Sequence, residues 1–305
     1  MQHYRSLEEV TLQNSWLTIG VFDGVHRGHQ EIVRRLTTGA HAAGAPAVVL
    51  TFDPHPAVIL GGRDIKCLTT PDERAERLEE LGADVVITER FTQDLSKVSA
   101  FDFVARLTRQ LGLSQLLIGY DFALGKGREG NAARLTEIGQ ELGYAVQVVE
   151  AVSDESGVIS STEIRKLVST GNIAEAAKLL GHPYSLRGPV IHGDGRGRRI
   201  NIPTANIDYP RNKVIPANGI YACWAFWRNE KHRAMINVGI NPTFTPEKKT
   251  PNIEAHLLDF DRKIYGQMLR LEFVARLRDE LKFSSVDALI EQISTDIAQG
   301  REILV

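Results

Sequence analysis

The chain has 305 residues, 43% of them hydrophobic and 24% charged, with a formal net charge of −2; that is enough for two ordinary domains and too apolar for a disordered chain. Near-neutrality argues against a general attraction to nucleic acid or membrane, and no stretch approaches the ~18 apolar residues of a span. The N-terminus has no apolar signal core, and Cys67 and Cys223 fit neither a metal spacing nor a disulfide framework, so a soluble, cytoplasmic, reducing setting is expected.

The first half alternates two kinds of segment. Strand-like apolar runs fall at 17–22, 47–52, 84–90, 116–122 and 146–151. Helical patterns lie near 30–43, 71–82, 99–111 and 131–142, each followed by a glycine (Gly44, Gly82, Gly112, Gly143) where a helix would end. Strands alternating with helices predict a Rossmann-like α/β domain, its mainly parallel sheet covered on both faces. Two short helices follow, near 161–169 and 173–181.

The texture changes around Gly181–Pro189. Beyond it come short strands with turns: YSLRGPVI, GIYACWAFW, HRAMINVGI, NIEAHLLDF and MLRLEFVARL. Asn229-Glu230 suits a hairpin between two of them. One long helix is expected near 285–299, with Ser284 as its cap and Val286, Leu289, Ile290, Ile293 and Ile297 on one face. The pattern predicts an antiparallel barrel or sandwich carrying one helix. The domains are placed at 1–182 and 183–305. The first holds 18 Lys and Arg against 24 Asp and Glu, the second 18 against 14, so their charges are −6 and +4.

In a parallel sheet every strand ends at one edge, and ligands bind outside it. Four clusters rich in Gly, His, Pro, Ser and Arg follow strands of the first half: GVFDGVHRGH (20–29), FDPHP (52–56), GYDFALGKGREGN (119–131) and ISSTEIR (159–165). His26 and His29, three apart at a helix start, share one side of its first turn. With Gly24 and Gly28 beside free helix N–H groups, they suit a polyphosphate. Two other readings stay open there. In one the histidines cap the helix; in the other Asp23, His26 and His29 form a metal site with ligand-like spacing. ISSTEIR reads as a capping box, Ser160 with Glu163, that also brings Ser161, Thr162 and Arg165 to a helix start where phosphates bind. GKGREG (125–130) matches G-x-G-x-x-G, with Glu150 twenty residues on, so dinucleotide binding is also open. No P-loop motif is present.

In the second half, GPVIHGDGRGRRINIPTAN (188–206) spreads glycines through a strand-turn-strand region with Arg196, Arg198 and Arg199. Read alone, it is either a flexible loop or a phosphate cradle. Thr204 and Asn206 offer oxygen ligands of the kind Mg²⁺ takes. Glu254, by itself, is a strand residue of the kind that faces solvent.

GVFDGVHRGH with ISSTEIR resembles the HxGH-type nucleotidyltransferases. With TFDPHP and GYDFALGKGREG in that order, the first half is similar to the FAD synthetase module of bacterial bifunctional riboflavin kinase/FAD synthetases. The second half resembles the riboflavin kinase module of the same family, through G-x-V-x-x-G-x-x-x-G-R before PTAN, NVGINPTF (237–244), IEAHLLDF (253–260), Tyr265-Gly266 and LRDELKF (277–283). The resemblance implies adenylyl transfer from ATP to FMN in the first module. Gly20, Phe22, Asp23, Gly24, His26, Gly28, His29, Ser160, Ser161, Thr162 and Arg165 would hold ATP, with His26, His29 and Arg165 catalytic. Phe52, Pro54, His55, Asp121 and Phe122 would lie toward the flavin. In the second module it implies a six-stranded barrel in which Gly188, Gly193, Gly197, Arg198, Thr204 and Asn206 bind ATP. Thr204 and Asn206 would hold Mg²⁺, and Glu254 would be the general base for riboflavin. Two positions depart from the family pattern: Leu124 where an aromatic is usual, and Asn201 where glycine is usual. They leave open that only one module is active, or that the protein binds flavin or NAD without transferring anything. The oligomeric state is not legible.

Overall fold

The computed structural model describes residues 1–62, 64–154, 157–193, 195, 197–200, 202–228, 230–240 and 251–305. Arg196, Asn201, Asn229, the end of NVGINPTF and the side chains of Arg198 and Arg199 lie outside the described features. By backbone proximity the chain divides into two units, Met1–Ser161 and Thr162–Val305.

The first unit contains β1 (Gln2–Tyr4), β2 (Ser15–Ile19), α1 (Arg27–Ala42), β3 (Ala47–Asp53), α2 (Pro56–Gly61) and α3 (Pro71–Glu80). Then come β4 (Val85–Arg90), α4 (Ala100–Leu111), β5 (Leu113–Gly119), α5 (Ala132–Leu142), β6 (Ala145–Val149) and the two-residue pair β7 (Ser153–Asp154) and β8 (Gly157–Val158). The five expected strands and four expected helices are present; β1, α2 and the β7–β8 pair were not foreseen. The sheet runs β1-β4-β3-β2-β5-β6, every neighbour parallel. Successive residues of its buried strands face opposite sides. Ile19, Val48, Leu50, Ile87 and Ile118 pack with Phe103, Val104 and Leu107 of α4 and with Leu135 and Ile138 of α5. Val49, Val86 and Leu117 point to the other face and meet Val33, Leu36 and Ala40 of α1 and Leu78 of α3. Each such buried aliphatic side chain stabilises the layer by about 1.5–3 kcal/mol. Gly112 and Gly143 end α4 and α5 in the left-handed conformation expected of helix-terminating glycines.

The strand order reverses at β2, which lies between β3 and β5. The connections leaving β2 and its neighbours diverge there, and this opens a crevice outside their carboxyl ends.

The second unit begins in α6 (Ser161–Ser169) and continues through α7 (Ile173–Leu180) into β9 (Tyr184–Ile191), β10 (Ala205–Ile207), β11 (Gly219–Trp227), β12 (Glu230–Gly239), β13 (Asn252–Leu257) and β14 (Met268–Arg278). It ends in α8 (Val286–Ile303). The six strands close an antiparallel barrel, β10-β13-β12-β11-β14-β9, filled by Tyr184, Leu186, Tyr221, Cys223, Ile236, Leu271 and Phe273. The cap of α8 is Ser285, which accepts the Ala288 N–H at 3.1 Å, and not Ser284. The expected apolar stripe of α8 is only half-buried, and Val286 is 57% exposed. What α8 buries is Gly300, too close to Met235 for a side chain, and Asp296, held by Arg278 at 2.6 and 2.9 Å. Among the described residues no helix is long and apolar enough to cross a membrane.

Candidate active sites

A cleft of about 800 Å³ opens at the reversal point of the sheet. The loop after β2 supplies Gly20 and Val21 and the start of α1 His29; the end of β3 and the start of α2 supply Phe52, His55 and Pro56; the loop after β5 supplies Asp121, Phe122, Leu124 and Arg128. Three of the four expected clusters therefore share one space, and apolar walls from Phe91, Leu95, Val98 and Phe103 complete it. The fourth meets the first where Ser161 Oγ donates to the Asp23 carbonyl at 2.8 Å. Ser160 immediately precedes α6; Thr162 lies in its first turn and Arg165 just beyond it.

The turn that presents the histidines is strained. Phe22 (φ 50°), Gly24 (φ 83°) and Val25 (φ 41°) are all left-handed, and a buried valine there is an outlier of the kind that collects at functional sites. His26 occupies the N-cap position of α1 but makes no side-chain capping bond. Its ring instead stacks on His29, with centroids 3.6 Å apart and planes 22° apart, while Phe22 meets His29 edge-on at 5.2 Å. Helix capping therefore does not account for the pair. Burial, then the neighbouring His26 and Arg74, push the His29 imidazole well below its ordinary pKa. Its Nδ1 is buried with no hydrogen-bond partner among the described residues. A neutral ring held at a helix N-terminus is a hydrogen-bond donor already aimed before any phosphate arrives.

The metal reading fails on Asp23. Its carboxylate is buried and turned away, accepting the Leu68 N–H at 2.9 Å and the Thr69 N–H at 3.0 Å. Thr69 Oγ1 in turn accepts from the Gly24 N–H at 3.0 Å. Asp23 thus latches the histidine turn to a segment 45 residues away. Among the described residues no group of His, Cys, Asp and Glu is placed to hold a metal ion. The dinucleotide reading of GKGREG fails as well. A bridge between Leu124 and Gly130 closes that loop on itself. Gly125 and Gly130 are glycines because a Cβ at either would meet Ala100 within 2.7 Å. Sequence reasoning missed Arg74, a buried cation whose Nη1 donates to Thr51 Oγ1 at 2.8 Å and to the Phe52 carbonyl at 3.1 Å, so it ties β3 to the cleft floor.

In the barrel, Asn206 of β10 stands directly opposite Glu254 of β13. Thr204 Oγ1 donates to Glu254 Oε2 at 3.3 Å. Asn252 Nδ2 donates to Glu254 Oε1 at 2.8 Å and to Asn206 Oδ1 at 3.0 Å. Thr204, Asn206 and Glu254 thus form one cluster. Asn252 joins it; a neutral residue at a strand start gave no signal in the sequence. Beside it lies a cavity of about 470 Å³ lined by Val190, Thr204, Ala255, Leu257, Phe260 and Tyr265. Two glycines of this region pack tightly: a Cβ at Gly193 would lie 2.1 Å from Asn206 Nδ2, and one at Gly188, in β9, 2.0 Å from the Asp208 carbonyl.

Comparison with known proteins matches residues 8–163 to the FAD synthetase family and residues 180–304 to the riboflavin kinase family. A bifunctional riboflavin kinase/FMN adenylyltransferase of Listeria monocytogenes is 37% identical over 97% of this chain and 94% of its own length. Proteins of the same description from Bacillus subtilis and Escherichia coli K12 are each 34% identical, covering 92% and 97% of this chain and 90% and 95% of their own. A crystal structure from Streptococcus pneumoniae, described as a macrolide-efflux protein, superposes with a TM-score of 0.89 at 32% identity over 98% of both chains. With an α/β unit and a closed barrel each matched to one of the two modules, in the same order and over nearly the full length, the chain belongs to the bifunctional riboflavin kinase/FMN adenylyltransferase family.

Proposed function

We propose that the protein makes FAD from riboflavin in two ATP-dependent steps, with riboflavin phosphorylated in residues 183–305 and FMN adenylylated in residues 1–182. The observation that carries this reading is the stacked His26–His29 pair at the N-terminus of α1, opening on an apolar cleft large enough for a flavin.

In the adenylylation step a phosphate oxygen of FMN attacks the α-phosphorus of ATP and pyrophosphate leaves. No protein nucleophile is needed, so the site must position charge and neutralise it. His26 and His29 donate hydrogen bonds to phosphate oxygens, backed by the N-terminal N–H groups of α1. Gly20 and Gly28 let the nucleotide approach the backbone; a Cβ at Gly20 would reach the Phe22 ring at 2.9 Å. Asp23 and Gly24 act by fixing the turn. Following the resemblance, Ser160, Ser161, Thr162 and Arg165 hold the leaving pyrophosphate, while Phe52, Pro54, His55, Asp121 and Phe122 receive the flavin.

In the kinase step Glu254 takes the proton from the riboflavin 5′-hydroxyl as that oxygen attacks the γ-phosphorus, and ADP leaves. Thr204 and Asn252 each donate to one of its oxygens, which aims the carboxylate. Gly188, Gly193, Gly197 and Arg198 belong to the loop that takes the phosphates. The oxygen donors Thr204 and Asn206 beside one carboxylate fit Mg²⁺, which would be held there with substrate phosphates and would neutralise their charge. Both steps draw on cytoplasmic ATP.

The test is incubation with riboflavin and Mg-ATP followed by chromatographic separation. FMN should appear first and FAD after it. Copurified flavin with no ATP consumption would instead favour a binding protein.

A further inference from the structure

The glycine loop of the barrel begins where β9 ends, and one contact at that point has no part in the chemistry above. The His192 ring lies flat on the Tyr265 ring, with centroids 3.9 Å and planes 19° apart. Both residues are exposed, Tyr265 at 38%. Two exposed rings give up rotamer freedom to stay together, so their placement calls for a cause.

The backbone supplies part of it. Val190 uses its N–H to reach the Gln267 carbonyl at 2.9 Å and its carbonyl to accept the Gly266 N–H at 2.8 Å. The turn Ile264–Gln267 is itself closed by Gln267 N–H to the Ile264 carbonyl at 3.0 Å. These bonds bring Tyr265 alongside the first residue of the loop. Val190 and Tyr265 are both walls of the cavity beside Thr204. On its other side His192 is followed by Gly193, which abuts the Asn206 side chain. A continuous line of contact therefore runs from the cavity wall, through the ring pair, to Asn206.

We propose that the His192–Tyr265 stack is a positioning device for riboflavin phosphorylation. It holds the residue before Gly193 in place, so that Gly193 already lies against Asn206 when the nucleotide arrives. The stack acts through ring contact, with neither ring nitrogen of His192 required. A contact set in advance is a ground-state binding advantage, so its loss falls on the KM for ATP more than on kcat.

The proposal rests on the kinase reading of the barrel, and the experiment separates the two. Wild-type protein, His192→Ala, Tyr265→Ala, the double variant and His192→Phe are assayed for FMN formation from riboflavin with varied Mg-ATP. Thermal melts and FMN-to-FAD conversion are followed in parallel to establish that each variant is folded. Each alanine variant should raise the KM for ATP about five- to tenfold, with kcat falling less than threefold. The double variant should be no worse than either single one, because both remove the same contact. His192→Phe, which keeps a flat ring, should return KM to within about twofold of wild type. Unchanged KM in folded alanine variants overturns the proposal alone. So does a His192→Phe variant as impaired as His192→Ala, which would make His192 a direct hydrogen-bonding ligand. Absence of FMN with wild-type protein overturns the kinase reading, and the proposal with it.

Discussion

In the reading proposed above, the two units meet the same demand, a polyphosphate to be held and neutralised, with opposite chemistry. The α/β unit uses a helix start and two stacked imidazoles, on a turn whose backbone is left-handed at three of four consecutive residues. The barrel uses unstrained strands: one carboxylate, aimed by a hydroxyl and an amide from neighbouring positions. The difference follows from the reactions. In adenylyl transfer the nucleophile is already an anion, so donors suffice. A sugar-chain hydroxyl must lose a proton, so the barrel needs a base. A doubly wound sheet gathers loops at one edge, where a helix N-terminus is available; a closed barrel offers instead register-locked side chains facing one another across strands.

Separating the two chemistries by substitution is the sharpest way to break this comparison. Glu254→Ala should have the largest effect, cutting FMN formation by about 10²–10⁴-fold, the range for loss of a general base, while FMN-to-FAD conversion persists. His29→Ala should do the reverse, lowering adenylylation by about 10²–10³-fold as loss of a charge-stabilising donor does, with riboflavin phosphorylation intact. Steady-state assay of each half-reaction checks both, and either substitution abolishing both steps in a folded protein would refute the two-site assignment. Asn252→Ala removes one of the two donors that aim Glu254; a loss of about tenfold in kcat for FMN formation is expected, measurable in the same assay.

The smallest expected effect is on stability. His29 in the folded chain titrates well below 6.5, first because of burial, then because of His26 and Arg74. Above pH 6.5 it is neutral in both states and contributes no pH dependence. As pH falls below 6.5 the unfolded chain takes up a proton that the folded one refuses. Stability then drops by at most about 1.4 kcal/mol per pH unit until the folded value is reached. Hydrogen exchange of α1 amides between pH 5 and 7 should show this slope in the wild type and a shallower one in His29→Asn.

Much of the fold was legible because burial writes a period into the chain. Val48, Val49 and Leu50 face alternate cores, and such a run in a doubly covered sheet is continuous and apolar. The three residues of β1 are too few to show any period, and α2 begins in FDPHP, where prolines and a histidine read as loop. In α8 the apolar stripe was a poor guide, since an ion pair and a glycine make its buried contact. The histidine pair was legible because two imidazoles and a run of glycines share ten positions. Arg74 and Thr69 were not, because each acts on a partner far away in the chain; Asn252 was not, because a neutral amide two residues before Glu254 carries no sign of the bond it makes. Asp23 shows the same limit: its spacing left a metal reading open, while its carboxylate bonds to backbone 45 residues on.

That latch has an evolutionary side. Leu68 and Thr69 are not among the residues that line the cleft, yet they bond to Asp23 and Gly24 of the histidine turn. Mutational libraries restricted to positions facing the nucleotide would pass over codon 69 entirely. Drift at that position can nonetheless retune adenylylation, and a loss of function mapped there should be sought first in the pose of the imidazoles, before any search for a second binding surface.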